Sequence, residues 1–526
     1  MLIAAVGLSI ACLGKSSSPE RRNMGNLGSF DKWHEIEITL TGPDSQGRSD
    51  PNPFAIHFDV TFTSPTGRKY QVPGFYNGDG RGGFNGSVWM VRFSADETGT
   101  WTFASKSENK YLDSYTGSFH VGELASEAPD FYRWGRLEAV GTASNKIRYL
   151  KFRDGPYWLK AGCDSPENFL GGYENYNTSA KRKAAIEYLA DKGINSMYIM
   201  THNLGGDNRD VWPWVGKSAG GARVNSSGNV RFDIARLEEW YQLFRYMQSK
   251  GVVPYLVLED DSAWKGYDHA RYYREIIARF GALPALIFNF NEEHNENYSL
   301  SEALGLMQVF KNLDPYEHPR GIHNVNVPND RYVDASQVDF TSIQTGDDRK
   351  TTGGDPLKHN QLVADWIRLC TSRDRRVLMV GIDEGRPVAE RRAWWSAYMG
   401  GGVWEAFVTP PYDQPMPSWE PVWTELGGTR IFMESLPFWQ MQPHNELVRS
   451  GTAFCLARPG EVYALYLPSG GDVTVDLAPG ANYESAWWRP TNGRGGQFES
   501  TGHMGGGQQI LRSPGQGDWA VRIAKH

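Results

Sequence analysis

Between Arg133 and Leu436 the chain repeats one rhythm: a short apolar run, a polar or acidic end, then an amphipathic stretch. The apolar runs are PYWLKAG, INSMYIM, VVPYLVL, ALIFNFN, RGIHNV, VDFTSIQ, RVLMVGI and GGVWEAF. Between several of them lie segments such as SAKRKAAIEYLADKG and IARLEEWYQLFRYMQSKG, with apolar residues at i, i+3, i+4 and i+7 and a closing glycine, which predicts helices. Strands alternating with helices in one continuous segment demand parallel pairing with helical crossovers. No strand is followed by the Gly-rich phosphate turn of an open doubly wound sheet, so the expected fold is a (β/α)8 TIM barrel.

The flanks have a different texture. From Lys32 to about Val121 (WHEIEITL, FAIHFDVTF, SVWMVRFSA, TWTFAS, GSFHVG), and again after Thr452 (TAFCLAR, EVYALYLP, DVTVDLA, YESAWWRP, WAVRIAK), short alternating runs are separated by turn residues. That pattern predicts an antiparallel β-sandwich on each side of the barrel. The chain is thus expected to be multidomain: an export signal over 1–22, an N-terminal sandwich over 28–124, the barrel over 130–440 and a C-terminal sandwich over 441–526. A length of 526 residues suits several cores.

The opening MLIAAVGLSIACLGKSSSPE has an apolar run of the length of a secretory signal core, too short to span a membrane. Its LSIAC resembles a bacterial lipobox, with Cys12 as the residue to be lipidated. The expected location is therefore periplasmic, anchored at the outer membrane, or secreted. Cys163, Cys370 and Cys455 stand singly, without CxxC spacing, and are expected to be buried thiols rather than zinc ligands or a disulfide scaffold. With 54 basic against 61 acidic residues, a net charge of -7 and no Lys/Arg run, the chain has no electrostatic footprint for nucleic acid. The aromatic content of 13% is enough both to fill cores and to offer flat faces to a ligand.

In a barrel of this kind the chemistry sits at the C-terminal ends of the strands. In chain order those ends carry Asp164 with Glu167-Asn168, His202-Asn203, Glu259-Asp260-Asp261, Asn291-Glu292-Glu293-His294, His323-Asn324, Gln344, Asp383-Glu384 and Trp404-Glu405. Glycosidic cleavage needs a pair of carboxyl groups on opposite walls, one protonated to assist the leaving oxygen and one ionised. The fourth strand offers Glu292 and Glu293, the seventh Asp383 and Glu384. Strands four and seven face each other across the mouth, at a separation compatible with the roughly 5–5.5 Å of a retaining pair.

Asn291-Glu292 after strand four, with a Glu after strand seven, resembles the large clan A group of retaining (β/α)8 glycoside hydrolases. Over nearly everything from Phe30 onward the chain is similar to bacterial members with an N-terminal sandwich of unknown function and a C-terminal sandwich of the collagen-binding type. The words that carry this are VPGFYNGDG, WMVRFSADETGTWTF, LKAGCDSPENFL, GGDNRDVWPW, NEEHN, GIDEG, LPFWQMQPHNELV and CLARPGEVYALYLPSGG. Those relatives usually read Gly-Glu-Glu-Asn where this chain reads Asn291-Glu292-Glu293-His294. The resemblance implies Glu292 as acid/base, Glu384 as nucleophile, Asn291 as a hydrogen-bond partner of the sugar or nucleophile, and Trp404 as a sugar-stacking platform. Glu293 stays open as the alternative acid, because neighbouring strand side chains face opposite ways and only one of the two can face the site.

Glu167, Asn168, His202, Asn203, His294, His323 and Gln344 are candidate partners for sugar hydroxyls, and Trp212 and Trp214 for the outer cleft. The spacing Glu292-x-His294-x-Glu296 matches neither HExxH nor a calcium loop, so no metal and no cofactor are expected. The expected partner is a plant or algal poly- or oligosaccharide. Arg209, Lys265 and above all Arg386, two residues beyond Glu384, would suit an anionic galactan such as a carrageenan. The rival reading is a carbohydrate-binding or adhesion protein without catalysis, which the two strand-end glutamates argue against. A polysaccharide lyase would need a Tyr or His base with a uronate-neutralising cluster, and none is evident.

Overall fold

The computed structural model describes residues 22–124, 127–141, 145, 147–166, 168–206, 209–216, 231–259, 266–324, 330–344, 355–372, 378–383, 391–408 and 413–526. At its centre eight parallel strands form one sheet. We label these barrel strands β1 (Ala161–Cys163), β2 (Ser196–Met200), β3 (Val253–Val257), β4 (Ile287–Asn289), β5 (Arg320–Asn324), β6 (Phe340–Gln344), β7 (Leu378–Asp383) and β8 (Trp404–Ala406). The hydrogen-bonded order is β7-β6-β5-β4-β3-β2-β1-β8. The two end strands, β7 and β8, lie against each other, so the sheet curls as in a (β/α)8 barrel.

The helices packed around the sheet include α1 (Ser179–Lys192), α2 (Ile234–Lys250), α3 (His269–Phe280) and α4 (Leu300–Leu313). Their starts are set by side-chain caps on orphan amides: Thr178, Asp233 and Asp268 each accept from the third residue on, and Ser299 forms a reciprocal capping box with Glu302. α1 and α2 stop at Gly193 and Gly251, both left-handed. After these stops the chain regains β2 and β3 within a few residues, whereas at the other end β2 reaches α2 only through 201–233. The long connections thus all gather at the C-terminal ends of the strands, where a mouth can be built.

The interior of the curled sheet is filled by Tyr198, Met200, Val253, Tyr255, Val257, Ile287 and Phe340. Lys160 and Glu405 pair within it, both fully enclosed, with the Lys160 ammonium 4.4 Å from the centre of the Tyr255 ring. Gly162 is needed there, because a Cβ on it would lie 2.6 Å from Glu405 Oε1. Cys163, Cys370 and Cys455 are all buried thiols.

Residues 22–122 form two sheets, one of five strands and one of three. Their facing rows share a core in which Phe62 stacks on Phe93 at 4.1 Å. The five-stranded sheet includes a strand without apolar alternation, Arg22–Asp31, which pairs in parallel with Tyr115–Gly122. These sheets are tied to the barrel by Arg92. Its guanidinium lies 2.7 Å from both Glu37 and Glu238 and 3.4 Å from the centre of the Tyr241 ring, so a cation is buried with partners from both sides.

C-terminal to the barrel is one seven-stranded hydrogen-bonded sheet rather than two separate ones. DVTVDLA and YESAWW belong to a single strand, Gly470–Trp488, whose register shifts between Leu477 and Asn482. That strand pairs with the Gly-rich Glu499–Gln516, and the sheet encloses its own core around Tyr463, Trp487 and Trp519. Arg391 reaches Asp518 at 2.8 Å, and Trp395 stacks on Tyr466 at 5.1 Å, joining this sheet to the barrel helices.

Candidate active site at the barrel mouth

The fourth strand delivers the best-defined part of the mouth. Asn289, the last residue of β4, points inward and donates through Nδ2 to the Tyr198 hydroxyl of β2 at 2.8 Å. The Tyr198 hydroxyl lies 3.3 Å from His323 Nδ1 on β5, and that same nitrogen is 4.0 Å from Glu292 Oε1. An Asn–Tyr–His column therefore rises through the sheet interior and ends beside a carboxyl group. Two residues beyond Asn289, Asn291 is fully buried, and its amide has no hydrogen-bond partner among the described residues. Leaving such a group unengaged costs roughly 1–3 kcal/mol.

Glu292 and Glu293 are separated by backbone geometry. Glu292 is 6% exposed, and its amide donates to the Glu259 carbonyl at 3.0 Å. Glu293 is half-buried and in the left-handed region at φ 42, ψ 40, so the chain turns there.

His294 is committed inside the protein. Its Nδ1 lies 2.8 Å from the His323 carbonyl, to which it donates, and its Nε2 accepts from the Tyr332 hydroxyl. With both ring nitrogens engaged, it holds the loop against β5. His202 is likewise packed rather than presented: 1% exposed, it meets Trp214 at 5.0 Å and Tyr267 at 4.8 Å edge to face. Asn203 Nδ2 donates to Asn168 Oδ1 at 3.2 Å, so these two bridge the loops after β1 and β2. Arg209 is exposed, with its guanidinium 5.4 Å from the centre of the Tyr173 ring.

Trp404 is placed differently from the expectation. Successive residues of a strand face opposite ways. On β8 the inward position belongs to Glu405, paired with Lys160, and the Trp404 ring lies outside the sheet, 5.6 Å from His359. It offers no platform at the mouth. On the opposite wall, β7 ends at Asp383, in register with Gln344 at the end of β6. Glu384, Arg386, Glu167, Lys265 and residues 1–21, Cys12 among them, lie outside the described residues, as do the side chains of Gln344 and Glu296.

One residue that the strand-end pattern mentions without a role stands out. Glu259, just past β3, is 2% exposed, and its carboxylate accepts from the Tyr273 hydroxyl at 2.7 Å and the Tyr298 hydroxyl at 2.5 Å. His269 Nε2 is 3.2 Å away. Burial opposes its ionisation, but the nearby His269, with help from His202 and Tyr298, more than offsets this and lowers its pKa.

The imidazoles make a testable contribution to stability. Burial pulls His202 down to about 4 despite the opposing pull of Glu259, and pulls His294 down to about 4 despite its bond to the His323 carbonyl. His359 is also pulled down to about 4, by burial alone. In the unfolded chain each titrates near 6.5. Between about pH 4 and 6.5 the unfolded chain therefore binds protons that the folded chain refuses. The stability from these groups is complete above about pH 6.5 and is lost as pH falls, by up to about 1.4 kcal/mol per pH unit for each imidazole. Urea unfolding followed from pH 7 to pH 5 should show a falling midpoint; an unchanged or rising midpoint would contradict this burial.

Comparison with known proteins adds the following. A family model described as a domain of unknown function, DUF5060, matches residues 29–108. No curated protein matches the chain. Among solved structures, a candidate glycoside hydrolase from Bacteroides vulgatus superposes with a TM-score of 0.71 at 14% identity, covering 95% of this chain and 100% of that one. A family 5 glycoside hydrolase from the same species gives 0.57 at 14% identity, over 77% of this chain and 95% of that one. A further structure, named only as a glycoside hydrolase, gives 0.58 at 14% identity, over 76% and 98%. At such identity the likeness establishes a shared fold, and the fold alone does not fix the reaction.

Proposed function

We propose that the protein is an exported retaining glycoside hydrolase acting on a poly- or oligosaccharide, with Glu292 as acid/base and Glu384 as nucleophile. We read the curled sheet as a closed (β/α)8 barrel and the flanking sheets as sandwich-type accessory domains. The observation that carries the proposal is the nearly enclosed Glu292 carboxyl at the end of β4, beside His323 and the unengaged Asn291 amide. An acid catalyst needs that placement, within reach of a leaving oxygen and shielded from bulk water. Glu384 is assigned as nucleophile because it immediately follows β7 in sequence, on the wall facing strand four. The solved structures of like fold that are named glycoside hydrolases support this chemistry by analogy.

In the proposed reaction Glu384 attacks the anomeric carbon while Glu292 protonates the departing oxygen. Glu292 then deprotonates the water that releases the sugar, with overall retention of configuration. Asn291 is assigned to the hydroxyl next to the anomeric carbon. The substrate class proposed is a plant or algal polysaccharide, an anionic galactan included, since Arg386 lies two residues past the nucleophile in sequence. The purified full chain, incubated with a panel of neutral and sulfated polysaccharides, should release reducing ends from at least one of them. Binding with no product from any member would favour the adhesion reading instead.

A further inference from the structure

We propose that Glu259 is a positioning residue for the reaction, a single residue that clamps both ends of the loop carrying the acid/base, one through its main-chain carbonyl and the other through its carboxylate. The inference rests on the assignment of Glu292 made above. The Glu259 carbonyl accepts the Glu292 amide at 3.0 Å, at the start of the loop. Its carboxylate accepts the Tyr298 hydroxyl at 2.5 Å, at the loop's end. Tyr298 is in turn fixed to the middle of the loop, its amide donating to the His294 carbonyl at 2.7 Å.

The clamp itself is anchored on α3. Tyr273 donates to the same carboxylate at 2.7 Å and His269 lies at 3.2 Å, while the Tyr273 ring packs on Phe310 at 5.6 Å. Between the two held ends the chain passes through Glu293 in the left-handed region. A non-glycine residue stays there only when its surroundings over-determine it. Slackening either end would let the turn relax and move the Glu292 carboxyl away from the leaving oxygen. Misplacement by about 1 Å is enough to cost roughly 100-fold in rate.

The test uses three variants of the full chain, Tyr298→Phe, Glu259→Gln and Glu292→Gln. Each is assayed with aryl glycosides of graded leaving-group ability on a sugar the wild type cleaves. Tyr298→Phe removes one hydroxyl and cuts only the loop end of the clamp. A positioning role predicts that its kcat/KM falls roughly 10- to 100-fold for poor leaving groups, which need the proton. It predicts almost no fall for dinitrophenyl glycosides, which do not. A purely structural role would lower all substrates alike or none, and either pattern in Tyr298→Phe would overturn the proposal. Should Glu259→Gln fail to fold, Tyr298→Phe decides alone. Leaving-group dependence in Glu292→Gln but not in Tyr298→Phe refutes the clamp and spares the acid assignment. A uniform loss in Glu292→Gln refutes both.

Discussion

Glu292→Gln should lower kcat/KM on natural glycosides by about 10²- to 10⁴-fold, the usual worth of a positioned general acid. The amide keeps the size of the carboxyl group and one acceptor, so the neighbourhood of His323 and the Glu259 carbonyl should survive, and the melting temperature should stay close to wild type. Activated aryl glycosides, whose leaving groups depart without a proton, should still form the covalent intermediate. Turnover would then stall at its hydrolysis, where the same residue serves as base. A small anion such as azide should restore turnover of these substrates by replacing the activated water, giving a glycosyl azide of retained configuration. Glu293→Gln, by contrast, alters a half-buried side chain at a left-handed turn and should change little. If the two variants exchange behaviours, the acid is Glu293.

Glu384→Gln should be more severe, because no leaving group, however good, rescues the loss of the atom that attacks. Its kcat on every glycoside should fall by on the order of 10⁴-fold or more, the scale on which removal of a covalent nucleophile registers. Binding of oligosaccharide should persist within a few-fold, since the amide keeps the size of the carboxyl group. Retained turnover on any substrate would remove Glu384 from the mechanism. It would also leave Asp383, one residue earlier, as the carboxylate to examine on that wall.

How far the sequence could be read follows from what each element relies on. The barrel strands were legible because each is an apolar run buried by its neighbours and closed by a polar residue, so existence and order followed from pattern. Arg22–Asp31 and Glu499–Gln516 were not, since both are Gly-rich and held by pairing with Tyr115–Gly122 and Gly470–Trp488 rather than by burying an alternating face. The site was legible as a set of strand ends but not as directions. GGVWEAF does not reveal whether Trp404 or Glu405 points inward; the deciding fact is the buried Lys160 immediately before β1, far away in sequence.

His294 stands two residues from Glu292 in sequence, while its partners, the His323 carbonyl and the Tyr332 hydroxyl, lie 29 and 38 residues on. Glu259 was hidden for the opposite reason. It opens the acidic triplet Glu259-Asp260-Asp261, which reads as a solvated strand end, and the tyrosines that enclose it are 14 and 39 residues away. Periodicity along the chain locates strand ends; which of them are enclosed depends on contacts that only the folded chain brings together.

The most direct test of the central claim is to look for the covalent intermediate. The full chain should be incubated with a panel of 2-deoxy-2-fluoro glycosides bearing good leaving groups, which slow the second step more than the first. Intact-mass measurement should then show one glycosyl adduct per chain, and peptide sequencing should place it on Glu384 within GIDEG. The adduct should form in Glu292→Gln and be missing in Glu384→Gln. Steady turnover of a glycoside whose fluoro analogue leaves no adduct, or an adduct on any other residue, would contradict the account.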